Sequence, residues 1–140
     1  MTPIEETARG VVVAVAAGGA IGSAARYGLA LAWPTPVAGF PWATLLTNVS
    51  GCVLLGALMQ VIAARIAPHR LVRPFLGTGV LGGFTTFSTY AVESRSLLAA
   101  GRPALAAAYV LGTLVGALLA VRLGMLIVRW LGFPTVRHPS

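Results

Sequence analysis

Lysine and aspartate are absent from this chain of 140 residues, and charged residues of any kind make up only 9% of it. Soluble domains average about 25% charged residues, so the side chains needed to clothe a water-facing surface are missing. Hydrophobic residues account for 57%, a composition for which a membrane is the fitting solvent. The single cysteine, Cys52, excludes an internal disulfide and gives no metal or redox motif. Within its apolar run it reads as a small packing residue. There is no Ser-His-Asp set, no metal-spaced His/Cys cluster and no phosphate loop. The chain is therefore not read as an enzyme.

What charge there is has mostly one sign, with 10 basic residues against 3 acidic and a net charge of +7. Nucleic-acid binders gather such charge on one face of a soluble domain. Here the arginines punctuate apolar runs, so they are read as flanking charges that touch membrane lipid, and no nucleic acid partner is expected.

Four apolar segments fill the chain, at approximately 11–33, 42–64, 75–98 and 104–128, each long enough for a crossing of ~20 residues. The fold class expected is an all-α integral membrane protein, with one membrane domain over residues 1–140. Glu5 and Glu6 differ from the basic start of a secretory signal, and the run behind them exceeds a signal core. The first segment is therefore expected to stay as a span. Trp33, Trp42 and Trp130 fall at segment ends, where indole rings prefer the headgroup level. A basic loop carries Arg65, Pro68, His69, Arg70, Arg73 and Pro74; a tail with Pro134, Arg137, His138 and Pro139 is expected to fray, and His138 alone suggests no metal.

With four crossings, Arg9, Arg65, Arg70, Arg73, Arg129 and Arg137 share one side, against Arg95 and Arg102 on the other. Positive charge marks the cytoplasmic side, so both termini are expected there. Small residues recur four apart at Gly18 and Gly22, Gly79 and Gly83, and Gly112 and Gly116. Such pairs let helix backbones approach closely in lipid.

The third segment is the anomaly. Gly82 and Gly83 precede Thr85, Thr86, Ser88 and Thr89, poor filler for a lipid-facing helix. Glycine weakens helix continuity, and hydroxyls compete for backbone hydrogen bonds. Non-helical backbone survives at membrane depth only when buried in protein or lining a watery cavity, and transporters use such breaks to aim carbonyls and half-helix ends at ions. The segment is read as the centre of an ion pathway; the competing reading is a kinked helix with hydroxyls bonded to their own turn. Other polar groups within segments are few: Arg26, Asn48, Glu93, and the pair Tyr109 and Thr113 on one face. Intramembrane ionisable groups are functional candidates by default. Arg26 and Glu93 lie near enough to segment ends to snorkel, whereas Asn48 cannot reach far and wants a partner.

Three strings carry a family resemblance: Gly22-Ser23-Ala24-Ala25-Arg26-Tyr27, Thr44-Leu45-Leu46-Thr47-Asn48-Val49-Ser50-Gly51 and Gly82-Gly83-Phe84-Thr85-Thr86-Phe87-Ser88-Thr89. Together, in order and across nearly the whole chain, they resemble the Fluc (CrcB) fluoride channels. That resemblance implies four transmembrane helices with the third broken, in a bacterial-type plasma membrane. It implies two four-helix subunits in antiparallel orientation, with two pores at their interface that export fluoride passively and prevent its toxic accumulation. By position it implies a structural Na+ at the dimer centre, held by the backbone carbonyls of Gly82 and Thr85. The fluoride pathway it implies comprises Asn48, Phe87, Tyr90, Glu93, Tyr109, Thr113 and Arg26. The chemistry is compatible: fluoride holds its water tightly, hydroxyl and amide donors can replace that shell, and ring edges are electropositive.

Two features depart from the family pattern. Tyr90 stands where many members have phenylalanine, and Ala117 ends the hydroxyl spacing of the fourth segment. The one-sided arginine distribution is also large for a subunit that inserts both ways, so the partner is first a second copy and otherwise a paired subunit of opposite orientation. The rival reading is a proton-coupled small multidrug-type transporter. It needs a membrane-embedded carboxylate in the first segment, which has none. A noncatalytic assembly factor would leave the hydroxyl-rich break and Asn48 unexplained.

Overall fold

The computed structural model describes residues 3–64 and 69–132. Arg65 and Pro68 of the basic loop, and Pro134, Arg137, His138 and Pro139 of the tail, lie outside the described residues. In chain order the elements are α1 (Pro3–Ala32), α2 (Trp42–Ala64), a π-helix (Arg73–Leu81), α3 (Gly82–Phe84), α4 (Phe87–Ala99) and α5 (Pro103–Trp130). Among the described residues there is no strand.

Local chemistry sets the helix limits. Glu5 and Glu6 occupy the first turn of α1, where carboxylates complement the helix dipole. The helix stops ahead of Pro34 and Pro36, which cannot continue it. Pro103 opens α5 at a position whose N–H would be unsatisfied anyway. At the end of α4, the Gly101 N–H donates to the Leu98 carbonyl and the Arg102 N–H to the Leu97 carbonyl, both at 3.0 Å. This is a Schellman closure, and it needs the left-handed φ of +70° that Gly101 adopts.

Three helices, at Glu5–Ala32, Trp42–Ala64 and Pro103–Trp130, are long and apolar enough to cross a membrane. Only 11%, 28% and 22% of their most apolar windows is buried, so most of their apolar surface faces outward. A helix apolar on all sides suits lipid rather than water. The third expected segment, 75–98, is not one helix. It divides into the π-helix with α3, an extended break at Thr85 and Thr86, and then α4.

Two helix pairs form the body, α1 against the π-helix and α2 against α5. In the first, Gly18 meets Gly79 directly, while Gly22 meets the Val80 backbone and Gly83 that of Gly19. A Cβ on Gly22 would run into the Val80 carbonyl, and one on Gly83 into that of Gly19. The second pair corrects an expectation. Gly112 has nothing within 4 Å of where its Cβ would stand, and Gly116 meets only Val49 Cγ2 at 3.2 Å. The close approach instead uses Gly56 against the Val121 carbonyl and Gly124 against the Val53 carbonyl. From the contact of Gly116 with Val49 to that of Gly124 with Val53 and Ala57 the pairings advance together along both chains, so α2 and α5 run parallel.

Candidate ion-pathway site

The break has regular backbone on either side and two extended residues between. Thr85 has φ −77° and ψ 157°, and Thr86 has φ −147° and ψ 122°. Two side-chain devices hold it. Thr86 caps α4, its Oγ1 accepting from the Thr89 N–H at 3.2 Å, which satisfies a donor that the new helix leaves free. Asn48, from α2, engages the same residue twice. Its Oδ1 accepts from the Thr86 N–H at 2.8 Å, and its Nδ2 donates to the Thr86 carbonyl at 3.0 Å. The amide thus replaces the ladder bonds that extended backbone gives up, at a site where both residues are buried. Asn48 keeps one amide hydrogen beyond these bonds.

The first half-helix is anchored from α1. Arg26 Nε and Ser23 Oγ both donate to the Gly83 carbonyl, at 3.2 and 3.4 Å. Arg26 therefore does not snorkel to a segment end: its guanidinium sits on the last turn before the break, where the helix carbonyls concentrate negative charge. The Thr86 N–H turns to Asn48 rather than back to the Gly82 carbonyl four residues earlier. Gly82 is exposed and carries no side chain to cover that oxygen.

Glu93 is likewise engaged rather than snorkelling. One carboxylate oxygen accepts from Thr44 Oγ1 at 3.0 Å and the other from the Tyr109 hydroxyl at 2.7 Å. Tyr109 is fully buried, edge-on to Phe40 at 5.5 Å and beside Tyr90 at 5.4 Å. Tyr90 donates to the Val110 carbonyl at 3.2 Å, so its additional hydroxyl is used within the chain. A row of rings continues to Phe87, 5.7 Å from Tyr90 and 80% exposed.

A cleft of about 340 Å³ lies along the break. Asn48, Gly82, Thr85, Phe87, Tyr90 and Thr113 all line it. Glu93 and Tyr109 form the adjoining hydrogen-bonded cluster, while Arg26 lies behind the break on the α1 side. Thr113 is 6% exposed, and its Oγ1 is a buried side-chain oxygen with no hydrogen-bond partner among the described residues. Buried hydroxyls are almost always bonded, so this oxygen is an unpaired donor beneath the surface of a residue that lines the cleft. Ala117 continues that wall without a hydroxyl. Among the described residues no group of three or more His, Cys, Asp and Glu side chains could hold a metal.

A family model described as CrcB-like protein, Camphor Resistance (CrcB), matches residues 13–125. The chain belongs to the CrcB-like family. It is 59% identical over 111 residues to the fluoride-specific ion channel FluC 1 of Streptomyces coelicolor, covering 79% of this chain and 72% of that protein. It is 59% identical over 104 residues to FluC 2 of Streptomyces avermitilis, covering 74% of this chain and 66% of that one. FluC 2 of Nocardia farcinica is 46% identical over 120 residues, with 86% of each covered. These relatives are named as ion channels, in accord with a CrcB-like chain that is not an enzyme.

Some of the site went unnoticed in the sequence. Thr44 stands one turn before Asn48 on α2, and Ser23 one turn before Arg26 on α1. The i, i+4 spacing of Thr44 and Asn48 was the available signal for one polar face. Nothing local to Ser23 distinguishes it from a serine bonded within its own turn.

Proposed function

We propose that this CrcB-like protein is a fluoride-selective channel subunit that exports fluoride passively from the cytoplasm and so prevents its toxic accumulation. The observation that carries the reading is the cleft at the helix break, in a chain whose relatives bear the name fluoride-specific ion channel. A pore for fluoride must replace a tightly held water shell with donors. The free Thr113 hydroxyl and the remaining Asn48 amide hydrogen are suited to that task. The exposed Phe87 ring can turn its electropositive edge to an anion. Tyr90, Tyr109 and Glu93 continue the polar route beyond the cleft, and Arg26 steadies the break from behind.

The break with its flanking pieces makes the fourth crossing, giving a multi-pass protein of the plasma membrane with one membrane domain over residues 1–140. The cleft opens outward, and the exposure of Phe87 on its lining supports a second subunit there. That partner is a second copy in antiparallel orientation, or a paired subunit of opposite fixed orientation, with two pores at the interface. The carbonyls of Gly82 and Thr85 fit a structural Na+, since both residues line the cleft and Gly82 has no side chain in the way. Hard cations take about six oxygens, so a second subunit would complete the set. When bound, the ion would offset repulsion between nearby anions and tie the subunits together.

The test is anion flux from proteoliposomes holding the purified chain alone. Fluoride should leave and chloride stay, with no pH gradient required. Retention of both ions by a chain that is dimeric in detergent would overturn the reading, and activity gained only on adding a second subunit would assign the paired assembly. A drug exchanger would need a proton gradient and a carboxylate within the first span, and the acidic residues of α1 are Glu5 and Glu6 in its first turn.

A further inference from the structure

Arg122 is a charge on the wrong surface for an isolated helix bundle. It stands exposed on α5, and among the described residues neither it nor Arg129 makes a hydrogen bond or ion pair. Its depth follows from the packing. Gly56 meets Val121, and Gly124 meets Val53 and Ala57, so Arg122 is level with the interior of Trp42–Ala64, not with its end. It lies two turns, ~10.5 Å, inward of Arg129. An ionised side chain in hydrocarbon is costly unless it finds a partner.

The surroundings say what that partner is. Gly124 belongs to the buried side of α5, whereas Leu118 and Leu126, one turn either side of Arg122, are 63% and 50% exposed. Arg122 and Arg129 thus share one outward apolar stripe, seven residues apart. Helical side chains lean toward the N-terminus, so both arginines tilt the same way and keep their two-turn separation along the stripe. Two long guanidinium side chains at that spacing can reach one phosphate between them, and the leucines beside them match an acyl chain. Free phosphate would not enter hydrocarbon at this depth, but a lipid phosphate can be drawn inward.

We propose that Arg122 and Arg129 form a binding site for an anionic phospholipid, its phosphate between the arginines and an acyl chain along Leu118 and Leu126. The inference rests on reading α5 as a membrane span, though not on what the channel conducts. Native mass spectrometry of the full chain in detergent tests it, with phosphatidylglycerol and phosphatidylcholine as probes. Phosphatidylglycerol should be retained in preference, and Arg122→Leu should weaken its binding about tenfold, the loss expected for charge-assisted hydrogen bonds. Arg122→Lys should keep part of it. Equal retention of the two lipids by the wild-type chain overturns the proposal without any variant. So does unchanged retention in Arg122→Leu, or a loss of the dimer in place of the lipid, which would make Arg122 a subunit contact. Selective lipid binding by a chain that conducts no fluoride would uphold this site and remove the fluoride reading.

Discussion

Asn48 grips both backbone groups of Thr86, accepting from its N–H at 2.8 Å and donating to its carbonyl at 3.0 Å. A break in a transmembrane helix frees donors and acceptors where no water can meet them. One amide side chain from a neighbouring helix answers both at the residue where the new helix is capped. This pair fixes the extended residue from which α4 starts, while Arg26 and Ser23 hold the half-helix before it through the Gly83 carbonyl.

Replacing Asn48 with leucine should therefore damage assembly as well as flux. The substitution leaves two backbone groups buried and unsatisfied, at about 1–3 kcal/mol each. Thermal unfolding in detergent should show a large loss of stability, and fluoride efflux should be abolished. An Asn48→Leu chain as stable as the parent would mean that the break holds itself.

Thr113 makes the opposite prediction. Its hydroxyl is buried and bonded to nothing among the described residues, so Thr113→Val removes a polar group that contributes no hydrogen bond there. Stability should be unchanged or rise by up to about 1 kcal/mol, while fluoride efflux falls. A parallel fall in melting temperature would show that the hydroxyl has a structural bond, and unchanged flux would remove Thr113 from the pathway.

Glycine substitutions should sort by contact rather than by spacing. Gly22→Ala and Gly124→Ala each drive a methyl group into a neighbouring carbonyl, and should lower the yield of monodisperse protein on size exclusion. Gly112→Ala meets nothing within 4 Å and should be tolerated. Close packing in lipid has few other sources of association energy, so the contrast should be sharp.

The same comparison marks what the sequence reveals and where it falls silent. The residues of α2 and the glycine contacts of α1 with the π-helix could be read directly, because apolar length and small-residue spacing are local signals. The break was legible as an oddity, since Gly82, Gly83 and the hydroxyl run contradict a lipid-facing helix. The Gly56–Gly124 packing was hidden because neither residue has a glycine four positions away; a search for any small residue would have found Ala120 with Gly124. Arg26 and Glu93 looked free to snorkel, because nothing local to either announces Gly83, Thr44 or Tyr109. Those partners come from other helices, and only their packing brings them together.

Glu93 and its two hydroxyl donors should behave as one unit. Tyr109→Phe removes the bond at 2.7 Å and Thr44→Val the one at 3.0 Å, each leaving the carboxylate with one protein donor. Removing both leaves it with neither, so the double variant should lose more than the sum of the single losses, with a coupling of about 0.5–3 kcal/mol. A double-mutant cycle on thermal stability measures this, and strict additivity would mean that each hydroxyl acts alone.

Phe87 separates conduction from folding. Its ring is 80% exposed and touches Tyr90 at one edge, so the subunit's own packing barely depends on it. Phe87→Ile keeps an apolar side chain but removes the electropositive ring edge that an anion would meet. Fluoride efflux should fall at least about tenfold, the effect of losing roughly 1.4 kcal/mol at the rate-limiting barrier, while the melting temperature and elution volume stay within error. Tyr90→Phe makes the control, since it keeps the ring and loses only the hydroxyl bonded to the Val110 carbonyl. If ring edges carry the anion, Tyr90→Phe should retain flux where Phe87→Ile does not. Equal loss in both would transfer the role from the ring of Phe87 to the hydroxyl of Tyr90, and equal retention would take the aromatic row out of the pathway.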